Sequence, residues 1–269
     1  MKLSLILTVN NRPPAVSRQV ADSFRLPGND VDEVVVVLDR PTGEARRGAE
    51  DAYRALADEE PRGPLMAHNV KFVEVDGPPG WLGPARAWNR GFAAATGDLF
   101  YCISSEVVQA AGNVARAREL AKDGQTVVFG KCVNSVPRDL VVGAEPGLLV
   151  SSTMPRPLGF IAAMPAAKVR EIGGFDEAFM GSPDAPGYWF DDDDFYYRLW
   201  QTGARFMFDD SINGVHLDHE RPDLATPRGQ AGIARNAALM MRKHGTQHPL
   251  ATLKKRVWGR VGQLVWEHE

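Results

Sequence analysis

Four consecutive aspartates at positions 191–194 are the residues of this chain whose type and spacing speak most directly of chemistry. Like charges packed this closely repel, so holding them near a core requires a cation, a helix N-terminus or shared protons. Their flanks suggest such a place. Phe190 precedes the run, and Phe195, Tyr196, Tyr197, Leu199 and Trp200 follow it. The acids are therefore expected at the mouth of a pocket, where one carboxylate could serve as a base or help hold a metal-bound substrate. Asp194 stands four residues before Arg198, the spacing of an i,i+4 ion pair on a helix. Asp191, Asp192 and Asp193 near the start of that helix would complement its macrodipole.

Such acids need a scaffold, and the first hundred residues read as one. Residues 3–9 form a continuous apolar run that ends in Asn10-Asn11-Arg12-Pro13-Pro14, as a parallel strand buried on both faces would. Residues 31–38 (with four consecutive valines), 70–75 and 99–103 read as further strands. Residues 15–24, 44–57 and 85–95 read as the helices between them. This alternation implies an α/β domain with a mainly parallel sheet. In such sheets ligands bind beyond the carboxyl ends of the strands, which would collect Thr8, Asn10, Arg12, Asp39, Asp76, Ser104 and Glu106 along one edge. The second half reads as strands at 126–133, 160–164 and 205–208. Helices are expected at 165–172, opened by Pro165 and closed by Gly173-Gly174, and at 228–244; residues 253–266 could form another.

Composition narrows the class. With 269 residues, 44% of them hydrophobic, the chain suits one medium domain, or one domain with a small appendage. A net charge of −3 does not suit a general nucleic-acid binder. From Glu220 onward, however, nine Lys/Arg oppose four acids, a net of +5. This basic tail could be a solvated helical cap, an amphipathic surface for anionic lipid, or a phosphate-facing patch for a nucleic-acid acceptor. In the lipid reading, Val257, Trp258, Val261, Leu264, Val265 and Trp266 interleave with the basic residues. Cys102 and Cys132 sit in apolar runs and read as buried free thiols in a reducing, cytoplasmic compartment. No Cys/His spacing suggests zinc, the apolar N-terminus reads as a strand and not a signal peptide, and no stretch has transmembrane length. Gly77-Pro78-Pro79-Gly80 lacks the Lys-Ser/Thr of a P-loop.

The ordered set of motifs resembles the family 2 type of GT-A glycosyltransferases, over roughly residues 3–220. The first strand with Asn10-Asn11-Arg12 is similar to the family's opening strand and loop, and the strand ending at Asp39 to the one whose acid reads the nucleotide base. Gly83-Pro84-Ala85-Arg86-Ala87-Trp88-Asn89-Arg90-Gly91 resembles the family's Gly-x-x-x-Ala-Arg-Asn-x-Gly helix, with Trp88 where Arg is usual. Gly173-Gly174-Phe175-Asp176-Glu177, then Asp191-Asp192-x-Asp194, Arg198 and Gly203, resembles the family's acidic block. One departure stands out: the family's Asp-x-Asp falls here on Ser104-Ser105-Glu106.

The resemblance implies a three-layer GT-A fold at 1–220, with a nucleotide-binding half at 1–106 and an acceptor and catalytic half at 107–220. A basic helical extension would follow at 221–269. It implies transfer, with inversion, of a sugar from a nucleotide sugar, UDP-linked, to a hydroxyl acceptor: a glycan, a lipid-linked sugar, a small molecule or a modified nucleobase. By motif position Asp192 would be the general base, with Asp191 the neighbouring alternative. Glu106 and His216 would help hold Mn²⁺ or Mg²⁺, with His216 or His219 as the histidine ligand. Thr8, Asn10, Arg12, Asp39, Asp76, Arg86, Asn89 and Ser104 would contact the donor. Were the metal dispensable, Arg12, Arg86 and Arg90 are the cations that could neutralise the diphosphate. Trp81 could stack on a sugar or belong to the core. The altered Ser104-Ser105-Glu106 also admits a non-catalytic nucleotide- or carbohydrate-binding relative. A sugar nucleotidyltransferase fits less well, because no Gly-rich, Arg/Lys-bearing loop follows the first strand.

Overall fold

The computed structural model describes residues 1–58, 69–76, 83–136, 147–219, 224–251 and 255–268, and the side chains of all of these except 57, 58 and 255–258. Trp81, the 77–80 loop, Glu220, Arg221, Asp223, Lys254 and Glu269 lie outside the described residues, as do the side chains of Lys255, Arg256, Val257 and Trp258.

The N-terminal half folds as its alternation predicts: β1 (Leu3–Val9), α1 (Pro14–Ser23), β2 (Glu33–Leu38), α2 (Gly43–Asp58), β3 (Val70–Glu74), α3 (Ala85–Ala94) and β4 (Leu99–Ile103). β1 pairs in parallel with both β2 and β4, and β2 with β3. All of β2 and β4, and all of β1 but Thr8, are buried, which is why these strands read as unbroken apolar runs. Polar exceptions are Ser4 on β1 and Glu33 on β2, both fully buried. Burial pushes the Glu33 carboxyl up, but Lys71, Ser4 and Thr96 donate hydrogen bonds to it and hold it down at about 2. α3 lies close on this sheet because Gly91 has no side chain: a Cβ there would stand 2.5 Å from Ile6 Cγ2. Trp88 is buried on the same helix beside Phe92, so its place in the motif serves the core.

The second half continues the same sheet with β5 (Val107–Gln109), α4 (Asn113–Leu120), β6 (Thr126–Asn134), β7 (Leu148–Val150), β8 (Ile161–Pro165), α5 (Ala166–Glu171), α6 (Asp191–Gln201), β9 (Arg205–His216), α7 (Pro227–His244), β10 (Lys255–Trp258) and β11 (Gln263–Glu267). The strand order is β10-β11-β9-β6-β8-β4-β1-β2-β3, with β5 on β9 and β7 on β6. β8 is antiparallel to both β4 and β6, whereas β6 and β9 are parallel.

Two differences from the sequence reading matter. β9 does not stop at Phe208 but runs to His216. Asp210, Ser211 and Ile212 bulge out of its register with β6 and break the alternation that would have revealed its second half. Residues 255–258 and 263–266, most of the segment expected as a helix, form strands instead. Gly259 and Gly262 separate two antiparallel strands, and β11 pairs with β9 so that Leu264 and Trp266 enter the main core. That burial has a period of two and not 3.6.

α7 forms where expected, with Thr226 capping its N-terminus, Pro227 in its first turn and Gly245 in the left-handed conformation at its end. It is more than a solvated cap. Met240 packs with Phe179 and Phe190, and the buried Asn236 donates to the carbonyls of Phe179, Tyr188 and Trp189. Lys243 donates to the buried Asp194, which draws that cation away from the basic surface, while Arg235 donates to the Ala178 carbonyl from an exposed position. No helix of the described residues is long and apolar enough to cross a membrane. Both cysteines are free and buried, and burial pushes the Cys132 thiol up to about 12.

Candidate active site

The parallel registers bring the predicted edge together. Val9 pairs with Leu38, so the next residues meet: Asn10 Nδ2 donates to the Asp39 carbonyl at 2.7 Å. Thr8 is half-buried beside Val37, and Asp76 is exposed past the end of β3. The Asp39 carboxylate is not free. Arg40, held at a φ of +52°, reaches it through Nε and Nη2, both at 2.8 Å.

After β4 the chain turns through Ser104-Ser105-Glu106, closed by Val107 N–H donating to the Ser104 carbonyl at 2.9 Å. The short β5 then pairs antiparallel with the far end of β9, setting Val107 opposite His216. This pairing builds a cluster. Glu106 Oε1 lies 3.3 Å from His216 Nε2 and 3.4 Å from His219 Nε2, while Oε2 takes hydrogen bonds from Arg12 Nε at 3.2 Å and Ser105 Oγ at 2.9 Å. An extended chain would turn His219 away from His216, but β9 ends at His216 and both imidazoles face Glu106. Burial pushes the Glu106 carboxyl up, yet its bonds to His216 and His219 and the Arg12 guanidinium hold it well below the usual range. One carboxylate oxygen and two imidazole nitrogens within 4.8 Å of one another form a donor set suited to Mn²⁺ and similar divalent ions. His216 Nδ1, the ring nitrogen that does not face Glu106, is buried without a hydrogen-bond partner among the described residues.

The aspartates open α6, directly after Trp189 and Phe190, two consecutive residues with φ of +63° and +67°. Asp194 is fully buried and satisfied by Arg198 Nε at 2.7 Å, Lys243 Nζ at 2.6 Å and His244 Nε2 at 2.8 Å. It is the helix-anchoring residue its spacing suggested. The other three are half-buried and crowded. Burial pushes Asp191 up to about 6, against the pull of the Asp191 and Asp192 N–H groups. Asp192 is pushed well above the carboxylate range by burial and by its neighbours Asp191 and Asp193, although Gly159 N–H and Arg156 pull the other way. Burial also raises Asp193, which faces His248 and Arg156.

Gly159 and Phe160 join the two halves. Gly159 donates to Asp192, and its carbonyl lies 3.5 Å from Ser104 Oγ. The Phe160 carbonyl accepts from Ser104 N–H at 3.1 Å, and its ring stands edge-on to His216 at 5.4 Å. Neither residue carries a side chain that sequence reasoning would select. Arg156, Lys243 and His244 were likewise legible only through packing.

Two residues expected at the donor take another task. Asn89 Oδ1 accepts from Phe175 N–H at 2.8 Å and its Nδ2 donates to the Phe175 carbonyl at 2.9 Å, while Arg86 pairs with Glu177 at 3.1 Å. They clamp the Gly173–Glu177 loop, where Gly174 (φ +78°) has no room for a Cβ beside Asn89. No contact links them to Glu106 among the described residues. Arg90 is exposed.

No family model matches the sequence, and no curated protein does. Solved structures do resemble the fold. A mannosyltransferase from Pyrobaculum calidifontis, in complex with GDP-Man and Mn²⁺, superposes with a TM-score of 0.60 at 18% identity, over 90% of this chain and 64% of that one. GalNAc-T7 with UDP, GalNAc and Mn²⁺ gives 0.61 at 14% identity, over 87% and 47%. TarS from S. aureus in complex with UDP-GlcNAc gives 0.55 at 16%, over 90% and 67%. The chain thus spans less than two thirds of the first two. The arrangement of strands and helices matches the GT-A fold of these solved structures.

Proposed function

We propose that this protein transfers a sugar from a nucleotide-linked donor to a hydroxyl acceptor, with inversion. The observation that carries the reading is the run of contacts from the Glu106, His216, His219 and Arg12 cluster to Asp192: Ser104, two residues before Glu106, lies 3.5 Å from the Gly159 carbonyl, and Gly159 N–H donates to Asp192. Solved structures of the same fold hold GDP-Man or UDP with Mn²⁺, or UDP-GlcNAc. A UDP-linked donor and a cytoplasmic setting complete the proposal, with residues 1–106 as the nucleotide half and 107–220 as the acceptor half.

Glu106, His216 and His219 would hold the divalent ion, which when bound supplies positive charge to the departing diphosphate. Arg12, already at the cluster, adds a fixed guanidinium on the same side. Thr8, Asn10 and Asp76 at the sheet edge border the space for nucleoside, and Ser104 borders the sugar. Asp192 accepts the acceptor's hydroxyl proton as its oxygen bonds to the anomeric carbon. The bond from that carbon to the diphosphate oxygen breaks, and the electron pair leaves with the diphosphate. The raised proton affinity of Asp192 suits a base that must take a proton from a weakly acidic alcohol. Asp191, the next carboxylate, shares its charge and sets that affinity.

A second reading, binding without turnover, draws on the Arg40 grip on Asp39, which occupies the carboxylate that would read the base. Calorimetry with UDP and GDP, with and without Mn²⁺, paired with hydrolysis assays of UDP- and GDP-sugars, separates the two. Metal-dependent binding with donor turnover supports the enzyme; binding with no turnover of any donor favours the binder.

A further inference from the structure

Trp189 is 58% exposed, against 8% or less for the other tryptophans whose burial is known, apart from the undescribed positions. Its place is costly to maintain. Left-handed φ angles at two consecutive non-glycine residues, Trp189 and Phe190, each cost on the order of 1 kcal/mol or more. The loop before them folds back tightly: a Cβ on Gly181 would lie 2.0 Å from the Ala185 carbonyl oxygen. From α7, Asn236 Nδ2 donates to the Tyr188 and Trp189 carbonyls at 3.2 and 3.0 Å, and Gly232 admits Pro186 where a Cβ would collide. Phe190 turns inward onto Met240 and Phe179. Its neighbour Trp189 is left in solvent, two residues before the carboxylates. A tryptophan serving only the core would share the burial of Phe190.

We propose that Trp189 is a stacking platform for a pyranose ring of the acceptor, so that the acceptor is a saccharide. The inference rests on the glycosyltransferase reading of this same site. An exposed indole offers a flat apolar face to the C–H face of a sugar, and the adjacent carboxylates accept hydrogen bonds from its hydroxyls. The chemistry favours an uncharged saccharide over a nucleic acid. A nucleobase could stack equally well, but three crowded carboxylates at positions 191–193 repel its phosphates. The pinned backbone fixes the platform in advance, so binding need not order it.

The test is tryptophan fluorescence of the full chain titrated with lactose, cellobiose, chitobiose and mannobiose, and with a thymidine oligonucleotide. Wild-type protein, Trp189→Ala and Trp189→Tyr are compared, each checked by circular dichroism. At least one disaccharide should give a saturable change in the wild type. Trp189→Ala should weaken that binding about tenfold, and Trp189→Tyr should retain most of it, as read by calorimetry. No response to any of the four sugars, equal affinity in Trp189→Ala, or saturation by the oligonucleotide alone would each overturn the proposal. UDP and GDP titrations with Mn²⁺ on the wild type stand apart: their failure would sink the donor reading, whereas disaccharide binding would still report the platform.

Discussion

Glu106 meets two imidazoles and a guanidinium within 3.5 Å, whereas Asp191 and Asp192 lie chiefly among other carboxylates. Both places bury carboxylates, with opposite results. At Glu106, hydrogen bonds and positive charge outweigh burial, and the group is held ionised. At Asp191 and Asp192 burial and like charge act together, and at Asp193 burial alone, to raise proton affinity. The contrast continues inside the run itself. Asp194 is the most buried of the four and the only one given Arg198, Lys243 and His244 together. Compensation has gone to the carboxylates that hold a charge in place, and has been withheld from those proposed to gain a proton. Separate charge states at two carboxylate groups linked through Ser104 and Gly159 are what acid–base chemistry beside a diphosphate would need.

The sharpest way to break this comparison is Asp192→Asn. It should lower kcat about a thousandfold while donor binding by calorimetry persists; full turnover would remove Asp192 from the role of base. Next comes Asp194→Ala, which strands three cationic partners around a buried gap. A loss of about 3 kcal/mol in denaturant unfolding is expected, and an unchanged midpoint would show that Asp194 is not the anchor. Glu106→Gln should weaken Mn²⁺ affinity about a hundredfold by calorimetry and abolish any Mn²⁺-induced rise in Tm. Unaltered affinity would place the ion elsewhere.

The smallest effect tests the crowding itself. Asp192 faces Asp191, Asp193 and Tyr196, with Arg156 and the Gly159 N–H opposed. Its ionised fraction grows as pH rises, so kcat should fall on the acidic side along a limb that lies above the ordinary carboxylate range. Asp193→Asn removes one like charge and should move that acidic limb down by about half a pH unit. A limb that stays in place would show that burial alone sets the affinity. Stability has the opposite sign. The folded state binds the Asp191 proton more tightly than the unfolded chain, so that contribution is present at low pH and is lost as pH rises from 3.8 through about 6.

The sheet was legible because strands buried on both faces leave continuous apolar runs, and β1, β2 and β4 are such runs. The Asp194–Arg198 pair was legible because helical spacing is local. β11 was not, because an interleaved apolar and basic segment fits a helix and a strand equally well until β9 offers a partner. Nor was the clamp of Asn89 on Phe175, which joins residues 86 positions apart.

By itself the sequence determined the alternating scaffold, the edge on which polar strand ends gather, and the presence of one unusually dense group of acids. These follow from periodicity and from spacings of a few residues, which short-range sterics fix. Only the tertiary structure decided which acids differ. A carboxylate's proton affinity depends on burial and on charges and hydrogen-bond donors within a few ångströms, and those come from α7, from the end of β9 and from the Gly159 N–H, all distant in the chain. Four identical letters thus became one anchor and three strained acids, beside a glutamate whose partners lie 94, 110 and 113 residues away.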